Sequence, residues 1–284
     1  MAFYTVRELL EEADRGGYAV GAFNLNNMEI LQAIIEAAEE EKSPVILQAS
    51  QGGIKYAGIS YIAAMARVAM EKAKVPVALN LDHGTSFEQV VQCIRHGFSA
   101  VMIDGSKLPL AENIALVKKV VEVAHPAGVS VEGELGKIGG TEDDISVDER
   151  EASMTVPEEA KIFVEQSGVD VLAVSIGTAH GIYKGEPKLD FARLEAINKI
   201  VSNPLVLHGA SGVPDDSIRE AIKRGINKIN IDTDIRMTFA RTLRETLQNN
   251  LNEYDPRKIL GPSKKAMKET IKAKMRLFNS SGKA

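Results

Sequence analysis

The sequence predicts an α/β protein, a single (β/α)8 TIM barrel with additional C-terminal helices, and three observations carry that expectation. Eight short β-rich runs recur along the chain, most followed by a segment of 3.6-residue periodicity. Several runs, VPVALNL, SAVMID and NPLVLHG among them, are almost continuously apolar, as parallel strands covered on both faces are. The chain has 284 residues, the size of one large barrel, and no Pro/Ser linker, low-complexity tract or break in composition divides it.

The elements follow in order. The opening stretch MAFYTVRELLEEADRGG has the pattern of an amphipathic acidic helix and lacks the basic flank and apolar run of a secretory leader. A first strand is expected at 18–24, then a helix at 28–41, a strand at 44–49 and a helix at 59–73. Strands at 77–81, 100–104 and 130–134 alternate with helices at 87–96 and 110–124. The first strand ends in GAFNLNN, not a GxGxxG turn, so a dinucleotide-binding open sheet has no support. After the fifth strand comes ELGKIGGTEDDISVDEREASMTVPEEA, an acidic connection of about 20 residues, long enough to suggest a mobile lid or simple disorder. Strands at 171–175, 205–208 and 228–231, with a helix at 190–201, complete the eight. Helical patterns at 234–251 and 263–278, joined by EYDPRKILGP, extend past the barrel. The expectation is one domain, with the barrel at about 18–233 and the extension at about 234–284.

Composition narrows the partners. Lys plus Arg number 34 against 39 Asp plus Glu, a net charge of −5 with no basic run, which argues against nucleic acid. No apolar stretch of about 18 residues occurs, so no membrane span is expected. The single cysteine, Cys93, fits a reducing, cytoplasmic setting.

Chemistry in a barrel gathers where the strands end. Strand three ends in Asp82-His83 and strand four in Asp104; strand five carries Glu132 and Glu134; strand six runs into His180 and strand seven ends at His208. His96 and His125 sit where helices stop, a favourable place for an imidazole. His83, His180 and His208 are each followed by Gly and leave different strands toward one rim. Three neutral imidazoles with an open fourth position match a catalytic zinc site. Asp104 and Glu134 can add ligands, orient a ligating His, or close the mouth through water. His180-Gly181, the run 208–212 and the run 230–233 form glycine-rich strand ends of the kind that hold a phosphate on backbone N–H groups, or plain tight turns.

The runs NLDHG (80–84), GELGKIGGTEDD (133–144), GTAHGIYKG (177–185), LHGASGVP (207–214), NKINIDTDIR (227–236) and YDPRKILGP (254–262) together resemble the class II fructose-1,6-bisphosphate aldolases, most closely the short form that also includes tagatose-bisphosphate enzymes. The resemblance spans nearly the whole chain. It implies that His83, His180 and His208 bind catalytic Zn²⁺, with Asp104 and Glu134 near a second or displaced metal position. It implies Asp82 as general acid/base and Glu142 as the base acting on the ketone substrate; Thr141 stands where some relatives carry a second Glu, leaving Glu142 alone at the hinge. Dihydroxyacetone phosphate would lie on Gly181, Gly209, Ala210, Ser211, Asn230, Ile231, Asp232 and Thr233, with a monovalent cation, Na⁺ or K⁺, nearby. Asn24, Ser50 and Arg257 match the other end of the substrate, Arg257 coming from a neighbouring subunit of a homodimer or homotetramer. The implied activity is reversible cleavage of fructose 1,6-bisphosphate. Tagatose 1,6-bisphosphate is the alternative substrate, and a Schiff-base aldolase or a non-catalytic phosphosugar-binding barrel the alternative classes. A Schiff base has little support, because the nearest lysine, Lys228, is read as opening strand eight at the end away from the rim.

Overall fold

The structure is a computed structural model that describes residues 4–142, 145–148, 152–183 and 185–284, as backbone alone at 142 and 145–147. In chain order it comprises α1 (Val6–Gly16), β1 (Val20–Asn24), α2 (Met28–Glu41), β2 (Val45–Ser50), α3 (Gln51–Ala57), α4 (Ile59–Lys72) and β3 (Val77–Gly84). There follow α5 (Phe87–Arg95), β4 (Ala100–Ile103), α6 (Leu110–Ala124), β5 (Ser130–Leu135), β6 (Gly139–Glu142), β7 (Ile145–Val147), α7 (Pro157–Ser167), β8 (Val171–Val174) and β9 (Ala179–His180). The chain ends with α8 (Phe191–Ile200), β10 (Leu205–Leu207), α9 (Asp215–Lys223), β11 (Ile226–Ile231), α10 (Thr233–Asn249) and α11 (Pro256–Leu277).

Eight strands close a parallel barrel in the order β1-β11-β10-β8-β5-β4-β3-β2. These are the eight strands expected from sequence, with ends displaced by no more than three residues. Alternate residues divide between two buried clusters. Phe23, Leu47, Leu79, Val101, Leu172 and Ile229 pack beneath the helices. Ala22, Ile46, Ala78, Ala100, Ala173 and Val206 pack instead with Val6, Leu9, Leu10 and Ala13 of α1. The opening helix therefore stoppers the end of the barrel where the strands begin, its N-terminus fixed by a capping box between Thr5 and Glu8. Burying a Leu this way is worth about 1.5–3 kcal/mol. With that end sealed by apolar packing, the polar inward residues are left for the other.

Two stretches depart from the sequence reading. Within the acidic connection after β5, read as a lid or disorder, the described residues include two strands: β6 and β7 pair antiparallel, and β6 pairs in parallel with β9. Composition conceals this because Gly139 and Gly140 permit the contact without supplying apolar bulk. A Cβ at Gly140, whose φ is +97°, would lie 2.2 Å from the carbonyl oxygen of His180. The second departure is EYDPRKILGP, read as a connection, much of which is the first turns of α11. Asp255 caps it by accepting from the Arg257 N–H at 2.9 Å, and Pro256 sits at the first turn, where no donor is needed. Pro262 lies within the helix, and the carbonyl it leaves without a bond, that of Lys258, is on an exposed turn.

Candidate active site

Neighbouring residues of a regular strand face opposite sides, so Asp82 and His83 should not share a site. They do so because β3 is irregular. Leu81 pairs with Val101 and Gly84 with Ile103, which leaves Asp82 and His83 together opposite Met102 alone, a β-bulge. His83 has φ of +48°, a left-handed conformation uncommon outside glycine. Both side chains are buried and turn into the same mouth. Asp82 accepts from Asn24 Nδ2 at 2.8 Å and Asn230 Nδ2 at 3.3 Å. His83 reaches Asp104 through Nδ1 at 3.3 Å and the Nδ1 of His208 through Nε2 at 2.9 Å.

His180 completes the group: the three rings lie edge to face with centroids 4.6–5.9 Å apart, and one nitrogen from each falls within 4.8 Å of the others. His83, Asp104 and Glu134 form a second trio with the same spacing. The donor set, imidazole nitrogens with carboxylates at the flank, fits a borderline divalent cation such as Zn²⁺. Burial pushes the His208 imidazole below its ordinary pKa, toward the neutral form a metal requires, although Glu132 pulls the other way. Burial and the adjacent Asp104 carboxylate raise Glu134 well above its usual range, and its Oε2 has no hydrogen-bond partner among the described residues. A cation at the second trio would satisfy that oxygen. Asp104 moves the opposite way: burial opposes ionisation, but His83 and two bonds from Ser106 outweigh it and its pKa is lowered.

Beneath the imidazoles lies a chain of buried polar side chains. Asn80 donates to Gln48 at 3.1 Å and Gln48 to Asn24 at 3.2 Å, which in turn holds Asp82. On the far side His208 Nε2 meets Glu132 at 2.8 Å, and Glu132 meets Lys228 Nζ at 2.6 Å. Burial would raise the Glu132 carboxyl, yet Lys228 and His208 together bring it to about 2. Lys228 is thus not a residue at the far end of its strand: β11 begins at Ile226, and the Lys228 side chain is wholly buried inside the barrel, committed to Glu132.

Beside the histidines a pocket is lined by Asn24, Thr141, His180, Gly181, Gly209, Ala210, Ser211, Asn230, Asp232, Thr233 and Arg236. All but His180, expected at the metal, and Thr141 and Arg236 belong to the set expected at the substrate. The 17-residue helix α10 starts at this pocket and brings the positive end of its dipole there, its Asp234 N–H meeting Ser211 Oγ at 3.3 Å. Gly209 has φ of +63°, and a Cβ there would stand 2.5 Å from the Ala179 carbonyl oxygen. Tyr183 ties these loops together, accepting from Ala179 N and donating to the Gly209 carbonyl, each at 2.8 Å.

A barrel mouth with three imidazoles, an adjacent aspartate and an anion pocket is what a metal-assisted enzyme acting on a phosphorylated substrate needs. Residues 4–283 match the family model described as fructose-bisphosphate aldolase class-II. The chain belongs to the class II fructose-bisphosphate aldolase family. A fructose-bisphosphate aldolase of Thermus caldophilus is 50% identical, the alignment covering 98% of each chain. A sulfofructosephosphate aldolase of Alkalicoccus urumqiensis is 47% identical over 100% of this chain and 99% of its own. Among solved structures, the YdjI aldolase from Escherichia coli K12 superposes with a TM-score of 0.87 at 35% identity, each chain fully covered.

The remaining expectations fall unevenly across the aldolase fold. Ser50 is buried at the end of β2 and caps α3, accepting from Gly53 N at 3.2 Å, and does not line the pocket beside the histidines. Ile231 lines no part of that pocket and its side chain lies in the apolar cluster under the helices, so only its backbone is available to a ligand. Arg257 is absent from the same pocket; its side chain is exposed at the start of α11 and paired with Asp255 at 2.7 Å. Glu142 closes β6, two residues past the one that pairs with His180, and its side chain lies outside the described residues. His96 and His125 stand at helix ends as expected, His96 on the Gln92 carbonyl at 2.8 Å and His125 on Asp170 at 2.8 Å. Sequence reasoning missed Arg236, one turn into α10 and paired with Asp232 at 2.8 Å, although it ends the NKINIDTDIR run. It also missed Gln48 and Asn80, whose signal was a polar residue two positions before a strand-end polar residue.

Proposed function

We propose that this aldolase catalyses the reversible cleavage of fructose 1,6-bisphosphate to dihydroxyacetone phosphate and glyceraldehyde 3-phosphate. The observation that carries the proposal is the Asp82–His83 bulge, which sets a carboxylate beside an imidazole cluster next to an anion pocket. His83, His180 and His208 would hold one Zn²⁺, with Asp104 and Glu134 at a second or alternative position. When bound, such an ion would supply Lewis-acid polarisation of the substrate. Asp82, steadied by Asn24 and Asn230, takes the proton of the C4 hydroxyl during cleavage and returns it during condensation. Glu142 exchanges the proton on the ketone product, delivered by the hairpin that pairs with His180. Gly181, the 209–211 loop and the 230–233 strand end hold one phosphate on backbone N–H groups, with a monovalent cation, Na⁺ or K⁺, nearby. Asn24 and Ser50 meet the other end of the sugar bisphosphate, together with Arg257 of the adjacent copy in a homodimer or homotetramer. Among the described residues no helix is long and apolar enough to cross a membrane, and we place the enzyme in the cytoplasm.

The 47% identical sulfofructosephosphate aldolase favours sulfofructose phosphate as a second substrate. Metal analysis combined with coupled cleavage assays on fructose 1,6-bisphosphate, tagatose 1,6-bisphosphate and sulfofructose phosphate tests the reading. The expected result is the highest kcat/KM on fructose 1,6-bisphosphate, abolished by chelation and restored by Zn²⁺. Activity that survives exhaustive chelation overturns the metal; a higher kcat/KM on either other sugar overturns the substrate.

A further inference from the structure

Among the described residues three non-glycine positions have positive φ: Lys42, His83 and Asn279. Lys42 caps α2 and Asn279 follows the end of α11, places where the left-handed conformation is ordinary. His83 alone adopts it inside a strand, and such a residue persists only where its surroundings impose it. The surroundings are identifiable. Gln51, the first residue of α3, donates from Nε2 to the His83 carbonyl oxygen at 2.7 Å. Thr85 donates from Oγ1 to Gln51 Oε1 at 3.0 Å, which leaves the Gln51 amide one orientation, nitrogen toward His83. On the opposite side the His83 N–H meets Met102 Sδ at 3.4 Å. A Cβ at Gly84 would stand 2.6 Å from the Met102 carbonyl oxygen, so the strand cannot retreat that way without displacing β4.

We infer that Gln51 and Thr85 form a positioning pair that holds the Asp82–His83 bulge in the shape the metal site needs. The inference rests on the reading of His83 as a metal ligand and extends it to residues outside the site. If the His83 carbonyl swings free, the strand can relax toward regular pleating, which rotates Asp82 and His83 toward opposite faces. One amide thus sets the metal ligand and the proton-transfer group together. Neither Gln51 nor Thr85 lines the pocket beside the histidines, so neither needs to touch substrate for this role.

The test titrates Zn²⁺ into chelator-stripped wild-type and variant enzyme against a chromophoric chelator, alongside steady-state kinetics and thermal unfolding of the metal-free proteins. Gln51→Met, similar in length but without the donor, is expected to weaken Zn²⁺ binding by about 10–100-fold, the usual cost of removing an outer support of a ligand. It should lower kcat of the Zn²⁺-saturated enzyme and leave KM and the metal-free Tm nearly unchanged. Thr85→Val should act in the same direction but less, Thr85→Ser should match the wild type, and the double variant should be no worse than Gln51→Met, as for residues acting in series. Wild-type Zn²⁺ affinity and kcat in Gln51→Met overturn the inference, as does a fall in metal-free Tm with affinity and kcat unmoved. If Gln51→Met does not fold, the Thr85→Val and Thr85→Ser pair decides by the same readouts. Wild-type enzyme that takes up no Zn²⁺ overturns the metal reading beneath it, a result distinguishable from failure of the pair alone.

Discussion

At the scale of single residues, the proposed function divides groups that would hold a cation from groups that would move a proton. His180→Ala removes a candidate ligand from the cluster of three and should abolish both metal content and activity. Asp82→Ala should keep the metal and lower kcat by about 10²–10⁴-fold, the usual worth of general acid–base catalysis. Metal analysis and kinetics on the same preparations separate the two, and near-normal turnover in Asp82→Ala would sink its role. Glu132 carries a pH signature. Its carboxyl sits at about 2 in the fold against an ordinary 4.5, so its stabilisation is present above pH 4.5 and is lost as pH falls toward 2. Lys228→Met removes the cation that opposes burial, which lets that carboxyl rise. The acid-unfolding midpoint followed by circular dichroism should move to higher pH, and an unchanged midpoint would mean that the pair does not stabilise the fold.

At the scale of elements, the strands were legible because their apolar runs need no knowledge of partners: the residues facing the helices, such as Leu79 and Leu81, announce themselves. Strand-end polar residues were legible for the same reason, being too costly for a plain core. The bulge was not, since a period of two gives no notice of Asp82 and His83 sharing one opposite residue, and the register emerges only when β4 is in place. The hairpin after β5 was hidden because its pairing with β9 depends on backbone approach at Gly140 rather than on side-chain pattern. This contact predicts a defect confined to the rim. Gly140→Ala places a Cβ against the His180 carbonyl and should displace the hairpin that carries Glu142. The expected outcome is a kcat reduced at least tenfold, as misplacement of catalytic groups costs, with a barrel whose far-ultraviolet circular dichroism is unchanged. Full activity in Gly140→Ala would remove the hairpin from the mechanism.

At the scale of the whole molecule, α11 lies along α2 with Lys264, Lys268 and Lys272 facing Glu36 and Glu40, a ladder of ion pairs repeating every fourth residue. Its first turn presents Arg257, exposed and paired with Asp255, which we propose is lent to a neighbouring copy. Mixing inactive Asp82→Ala and Arg257→Ala subunits tests this. If Arg257 acts across the interface of a symmetric dimer, a random mixture regains about a quarter of wild-type activity, since half the dimers are mixed and each then holds one intact site. No recovery would return Arg257 to its own chain. The polar chain inside the barrel reaches further still. It runs through Asn80, Gln48, Asn24, Asp82, Asn230, His208, Glu132 and Lys228, joining residues of β1, β2, β3, β5 and β11 with the end of β10. A barrel cut after β5, its fifth strand, would leave Glu132 without Lys228 and Asp82 without Asn230, so the partners that offset burial of these carboxylates arrive only with the last strands. The groups proposed to serve chemistry thus also make the closing of the last strands onto the first the step that satisfies the interior.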